Sequence, residues 1–253
     1  MGKSPKITKI EVHEFKFEKE DIARTEEGGI VYRPGAKSTK TAFALRIFTD
    51  TGPVGEYVGG SAIDYAALPT FIDYLIGHDA LQRELIYARV GHATRMNRIG
   101  LAPIDIALWD LAGKFYDAPI HQLLGGYKET IPAYVATLHG EEGVTGGLDT
   151  PDAYADFAQE CFEMGYPGFK IHGWENGLVS REIETVQKVA DRVGGKMDMM
   201  LDPYNALVTF GDAVKLGRAC DEAKYFWYED PFQDMGTSIF AHRKLRQIIK
   251  TPL

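Results

Sequence analysis

Four side chains stand out for where they fall as much as for what they are: Lys170 and His172 in GFKIH, Asp202 in MMLDPYNA and Glu229 in WYEDPF. Lys170 precedes Asp202 by 32 residues and Asp202 precedes Glu229 by 27, each the length of one strand–helix unit. If each group closes a parallel strand, all four converge at the C-terminal face of the sheet, where β/α barrels keep their chemistry. Asp202 and Glu229 then stand on neighbouring strands, about 5 Å apart at the backbone. Two carboxylates that close repel unless a cation sits between them, and hard oxygens with room for water and substrate suit Mg2+. An imidazole, with an ordinary pKa near 6.5, can act as a general base at neutral pH. Each residue has a plainer reading. Asp202-Pro203 is a turn signature, Glu229 can end a turn, a strand lysine often snorkels, and a strand-end histidine is often a satisfied structural group. The barrel-like spacing of the whole set favours the site.

The elements that must hold these residues follow from hydropathy patterning. Ile7 to Phe17 alternates in strand fashion, and TAFALRIFTD with TGPVGEYV reads as two more strands around Asp50-Thr51-Gly52, a three-stranded antiparallel meander. Between the first two lies Glu18 to Lys40, polar, glycine-containing and too long for an ordinary hairpin loop. It is expected to be a flap, with Tyr32 as a substrate contact and Arg33 and Lys37 favouring a polyhydroxylated acid. Helical periodicity begins at Asp64 and runs through Leu75, resumes at Leu81 to Ala88, and is clearest over GLAPIDIALWDLAGKF. After Gly125-Gly126 short apolar strands (131–138, 168–172, 197–201 and 225–229) alternate with helices near 151–164, 179–193, 210–222 and 237–249, and Thr251-Pro252-Leu253 opens a fifth strand. The fold class is therefore α/β. An N-terminal α+β layer (1–125, with flap 18–40) precedes four to five parallel βα units (126–253).

ALWDLAGKFYDAPIHQLLGG (107–126) resembles the linker helix that joins cap to barrel in the mandelate racemase and muconate-lactonizing group of the enolase superfamily, and GFKIH, MLDPYNA and WYEDPF are similar to that family's second, third and fourth barrel strands. The resemblance implies a capping domain (1–125) with linker helix 100–117, then the first four to five βα units of an incomplete TIM-like (β/α)7β barrel (126–253), and Mg2+-assisted abstraction of the proton α to a carboxylate, through an enediolate. It makes Asp202 and Glu229 the first two of three metal ligands, puts Lys170 on the substrate carboxylate or behind the base, and makes Asn205 a nearby polar contact. Many members carry Lys-x-Lys where this chain has Lys170-Ile171-His172, so His172 is expected to take the base's role. The third ligand, a glutamate on the fifth strand, and a later His/Asp dyad are expected beyond Leu253. Four strands cannot close a barrel, so the 253-residue chain alone is expected to be an inactive fragment of a homo-oligomeric full-length enzyme. The leading activity is dehydration of an acid sugar. The alternatives are racemisation or epimerisation of a hydroxy acid or amino-acid derivative, and a catalytically dead half-barrel that associates with another chain.

Composition narrows the field further. Net charge is −8 with acidic residues spread along the chain, so no basic stripe exists to neutralise phosphates and nucleic acid is not an expected partner. No run approaches the ~20 apolar residues of a membrane span, and MGKSPKITKI lacks an apolar signal core, which gives a cytoplasmic address. Cys161 and Cys220 fall within helical patterns and are expected to be buried thiols.

Overall fold

The computed structural model describes residues 4–95, 98–233 and 238–253. They fall into two compact units, one made of residues up to Glu18 with Thr39–Glu129 and the other of Lys19–Ser38 with Thr130–Leu253.

In the first unit, β1 (Ile7–Arg24), β2 (Ile30–Thr49) and β3 (Val54–Val58) form a sheet in that order. β2 and β3 are antiparallel, with Phe48 opposite Val54 and Ala44 opposite Val58, so the expected turn at Asp50 to Gly52 is where the chain reverses. Phe43, Leu45 and Ile47 point into the core from alternate positions of β2. The single helical pattern from Asp64 to Leu75 is broken into α1 (Ala62–Ala67), a 3-10 turn at Leu68–Thr70 and α2 (Ile72–Leu75). Pro69 causes the break, because it has no N–H and its ring clashes with the preceding turn. α3 (Arg83–Ala93) and α4 (Leu101–Tyr116) follow, and α4 buries Leu101, Ile104, Leu108 and Leu111 from one face. On its outer side Asp110 pairs with Lys114 at 2.7 Å and accepts the Glu56 N–H of β3 at 2.8 Å. The short α5 (Ile120–Leu123) completes this part.

Residues 18–40 are not an irregular loop, as their polarity suggested. Both strands continue through them and reverse only at Thr25 to Gly29, where Thr25 N–H donates to the Gly29 carbonyl at 3.0 Å. A ribbon that is largely exposed can be largely polar, since its backbone pairing needs no apolar face, although Val31 near the tip is buried. The ribbon's base belongs to the first unit and its tip to the second.

In the second unit β4 (Tyr134–Ala136), β5 (Gly168–His172), β6 (Asp198–Asp202) and β7 (Trp227–Tyr228) lie side by side in chain order, all parallel. The connecting helices are α6 (Pro151–Glu163), α7 (Val179–Val193) and α8 (Phe210–Ala223), and α9 (Ile239–Leu245) follows β7. The last helix is shorter than the expected 237–249, and position 237 is outside the described residues. Tyr228 N–H donates to the Pro252 carbonyl at 2.8 Å, so the last residues run along β7 as a fifth strand would. Phe169, Ile171, Met199, Leu201 and Tyr228 join Ala158, Val186, Val189, Leu216 and Cys220 of the helices in one core. The β-rich cap followed by a partial barrel-type sheet is the expected architecture. Cys161 and Cys220 are both free and buried. Among the described residues no helix is long and apolar enough to cross a membrane.

Candidate active site

Strand register decides which side chains meet. Lys170 is opposite Met200 and His172 is opposite Asp202, while Met200 is opposite Trp227. Side chains alternate along a strand, so with Phe169, Ile171 and Leu201 given to the helical core, Lys170, His172, Asp202 and Glu229 share the other face. The Lys170 ammonium bridges the two acids, its Nζ 3.0 Å from Asp202 Oδ2 and 3.0 Å from Glu229 Oε2. His172 Nε2 is 3.6 Å from the same Asp202 oxygen. Trp227 Nε1–H donates to Glu229 Oε2 at 3.1 Å.

The electrostatics follow from this packing. Burial lowers the Lys170 pKa, but the hydrogen bonds and charges of Asp202 and Glu229 outweigh it and raise the group above its ordinary value, so the ammonium stays charged. His172 behaves oppositely. Burial, then the neighbouring His139, holds its pKa down to about 4 against the pull of Asp202, which leaves a neutral ring at physiological pH.

The loops after β6 and β7 fix the acids. Tyr204 N–H donates to Asp202 Oδ1 at 2.9 Å, and Asn205 N–H donates to the Asp230 carbonyl at 2.9 Å. Tyr204, Asn205 and Asp230 all have left-handed φ, at 52°, 58° and 38°. Such backbone is costly for residues with a Cβ and tends to gather at functional sites. The Asn205 side-chain oxygen is buried without a hydrogen-bond partner.

The structure does not bring Tyr32 to this cluster. Alternation in β2 turns its ring toward α6, where it meets Phe157 edge-on at 6.2 Å and lines a groove of about 600 Å3 that includes none of the four residues above. Arg33 is paired with Glu141 and Lys37 with Glu20.

Two carboxylates sharing one cationic nitrogen are a donor set suited to a hard divalent cation such as Mg2+. It is a partial set, since among the described residues no group of three His, Cys, Asp or Glu side chains could hold a metal.

Residues 35–125 match the family described as mandelate racemase / muconate lactonizing enzyme, N-terminal domain, and residues 153–253 match the one described as enolase C-terminal domain-like. The chain belongs to the mandelate racemase and muconate-lactonizing group of the enolase superfamily. It is 32% identical to D-galactarolactone cycloisomerase of Agrobacterium fabrum over 199 residues, and 28% identical to D-xylonate dehydratase of Haloferax volcanii over 213. Each alignment covers 74% of this chain and 50% of the relative, so the chain spans about half the length of these curated relatives. Among solved structures it is similar to D-glucarate dehydratase from Agrobacterium tumefaciens complexed with magnesium, with TM-score 0.86 and 27% identity over 97% of this chain and 65% of that one.

Beyond what that group's motifs suggested, the structure adds His139. It is buried, its ring stacks on His172 with centroids 4.1 Å apart, and Tyr204 stands edge-on to both rings. The signal was available, because His139 directly follows the expected first strand (131–138), three residues past the end of β4, and so comes under the strand-end rule that found the other four.

Proposed function

We propose that the chain carries the proton-abstracting half of a Mg2+-dependent acid-sugar dehydratase. The observation that carries this reading is the Lys170 ammonium suspended between Asp202 and Glu229, with the neutral His172 ring beside it. Similarity to dehydratases of acid sugars, and to one solved in complex with magnesium, supports the substrate class and the metal. Abstracting a proton next to a carboxylate leaves two negative charges on its oxygens. Mg2+, bound by Asp202 and Glu229, supplies part of the charge that such an enediolate requires.

The chain's own residues do the rest. Lys170 gives up its place between the acids when the metal binds and donates a hydrogen bond to a substrate carboxylate oxygen. His172 accepts the α-proton, and the electron pair moves onto the carboxylate. His172 returns that proton to the neighbouring β-hydroxyl, which leaves as water as the enediolate collapses, and the enol product becomes a 2-keto-3-deoxy acid. Asn205 Oδ1 accepts from a substrate hydroxyl. His139 stacks on the same side as His172, so it does not supply the opposed second base that racemisation needs. With two carboxylates as the metal's ligands, this polypeptide by itself holds Mg2+ with a Kd on the order of a millimolar and turns over no acid sugar.

The test joins calorimetric Mg2+ titration to a screen of aldonic and aldaric acids, reading 2-keto-3-deoxy product as its semicarbazone. Asp202→Asn abolishes the binding. Mg2+ binding that ignores Asp202→Asn refutes the metal site, and turnover by the 253-residue polypeptide that is lost on Lys170→Ala refutes its inactivity alone.

A further inference from the structure

Glu182 has a side chain that the proposed chemistry does not use. It lies on the first turn of α7 and is fully buried. One oxygen, Oε1, accepts the Trp174 N–H at 2.6 Å, and Oε2 is buried without a hydrogen-bond partner. Burial, the largest influence, raises its pKa to about 8, so it sits in the interior as a neutral acid.

The carboxyl fits the turn that leaves β5. A Cβ on Gly173 would fall 2.5 Å from Glu182 Oε1, so the acid occupies the space that a side chain at 173 would need. The same turn reaches the histidines. Gly173 N–H donates to the Asp202 carbonyl at 2.9 Å, and the Gly173 carbonyl lies 3.1 Å from His139 Nδ1. A carbonyl only accepts, so this contact requires His139 to carry its proton on Nδ1. His139 in turn stacks on His172.

The geometry points to Glu182 as a positioning residue: by holding the Gly173–Trp174 turn it sets the carbonyl that anchors His139, and with it the stacking of His139 on His172. The functional weight of this rests on His172 being the base proposed above, but the positional claim does not. Other contacts hold the turn's flanks, namely Trp174 Nε1–H to Thr185 Oγ1 at 3.0 Å and Tyr154 O–H to the His172 carbonyl at 3.0 Å. Gly173 itself keeps its N–H on the Asp202 carbonyl at 2.9 Å and accepts from Gly140 N–H at 3.4 Å, so loss of Glu182 loosens the turn on its Trp174 side without removing its surroundings.

The experiment uses the 253-residue protein with 15N- and 13C-labelled histidine. Ring nitrogen shifts report the His139 tautomer, and the ring-current displacement of the His172 ring protons reports the stack. Glu182→Gln keeps an acceptor oxygen at the same reach and retains both signatures. Glu182→Asp, one methylene shorter, and Glu182→Ala lose the fixed Nδ1–H tautomer and the ring-current shift. Both signatures persisting in Glu182→Asp or Glu182→Ala, even with a lowered melting temperature, overturns the proposal and leaves a merely structural acid. Loss of both in Glu182→Gln overturns it as well. None of these readouts involves turnover, so failure of the dehydratase reading leaves them unaffected and the two fail separately.

Discussion

A buried neutral carboxyl makes stability depend on pH in a direction opposite to most acids, and Glu182 offers a clean measurement of it. In the unfolded chain this group loses its proton near 4.5, whereas in the folded protein it keeps it to about 8. A folded-state pKa raised above the unfolded one gives stability that is fully present below pH 4.5. That stability falls between the two values, because the unfolded state releases a proton that the native state retains, and it is gone above about 8. The loss runs at about 1.4 kcal/mol per pH unit, so its full extent is about 5 kcal/mol. Glu182→Gln cannot ionise. Its extra N–H2 adds a burial cost of about 1–3 kcal/mol that does not vary with pH. The stability of Glu182→Gln relative to wild type should therefore climb by about 1.4 kcal/mol for each pH unit from 5 to 8. Every titration common to both proteins cancels in the difference. Urea denaturation at pH 5, 6, 7 and 8, followed through the Trp174 indole N–H signal so that the second unit is read alone, gives the slope. A difference that stays flat from pH 5 to 8, or declines, refutes the neutral buried acid.

Lys170→Ala leaves Asp202 and Glu229 facing one another without their shared ammonium. The half-buried setting holds the expected loss at pH 7 to about 1–3 kcal/mol, below the figure for a fully buried pair, and added Mg2+ should recover part of it in a thermal melt. At Gly140 a Cβ would fall 2.6 Å from the Trp174 ring, so Gly140→Ala should cost about 1–3 kcal/mol of stability by denaturant titration, and a neutral result would mean that the loop yields easily. Tyr32→Phe keeps the contact with Phe157, and in any protein that shows acid-sugar turnover it should leave KM unchanged; a marked rise in KM would restore Tyr32 to the substrate's side.

The strand–helix alternation of the second unit was legible because each strand is a short apolar run closed by polar groups, and GFKIH matches β5 residue for residue. Asp202 and Glu229 were legible for the same reason. The place of Tyr32 was not legible, because a long polar stretch gives no sign of which way an extended ribbon turns its alternate side chains. Its partner is Phe157, far away in sequence. Glu182 is one of several charged residues in SREIETVQKV, and its position distinguishes it. Glu182, Val186, Val189 and Val193 recur at intervals of four, three and four and are all buried, so the acid stands on the apolar stripe of α7. Reading residue type before residue position concealed it.

The carboxylates' supporting loops bear on how the site is made ready. Left-handed backbone at Tyr204, Asn205 and Asp230 costs on the order of 1 kcal/mol or more at each, and isolated loops would relax out of it. They are not isolated. Asn205 N–H reaches the Asp230 carbonyl at 2.9 Å, Leu207 N–H the Pro231 carbonyl at 3.2 Å, and Gln233 N–H the Leu207 carbonyl at 3.0 Å, which ties the loop after β6 to the loop after β7. Asp202 and Glu229 enter these two loops from neighbouring strands. The strain is therefore carried by links that keep the two acids in a fixed relation, and Lys170 holds the space between them with a charge of the sign a metal would bring. On the proposed reading, a cation that displaced the Lys170 ammonium would meet donors whose arrangement is already set, so little of its binding energy would go into ordering the protein.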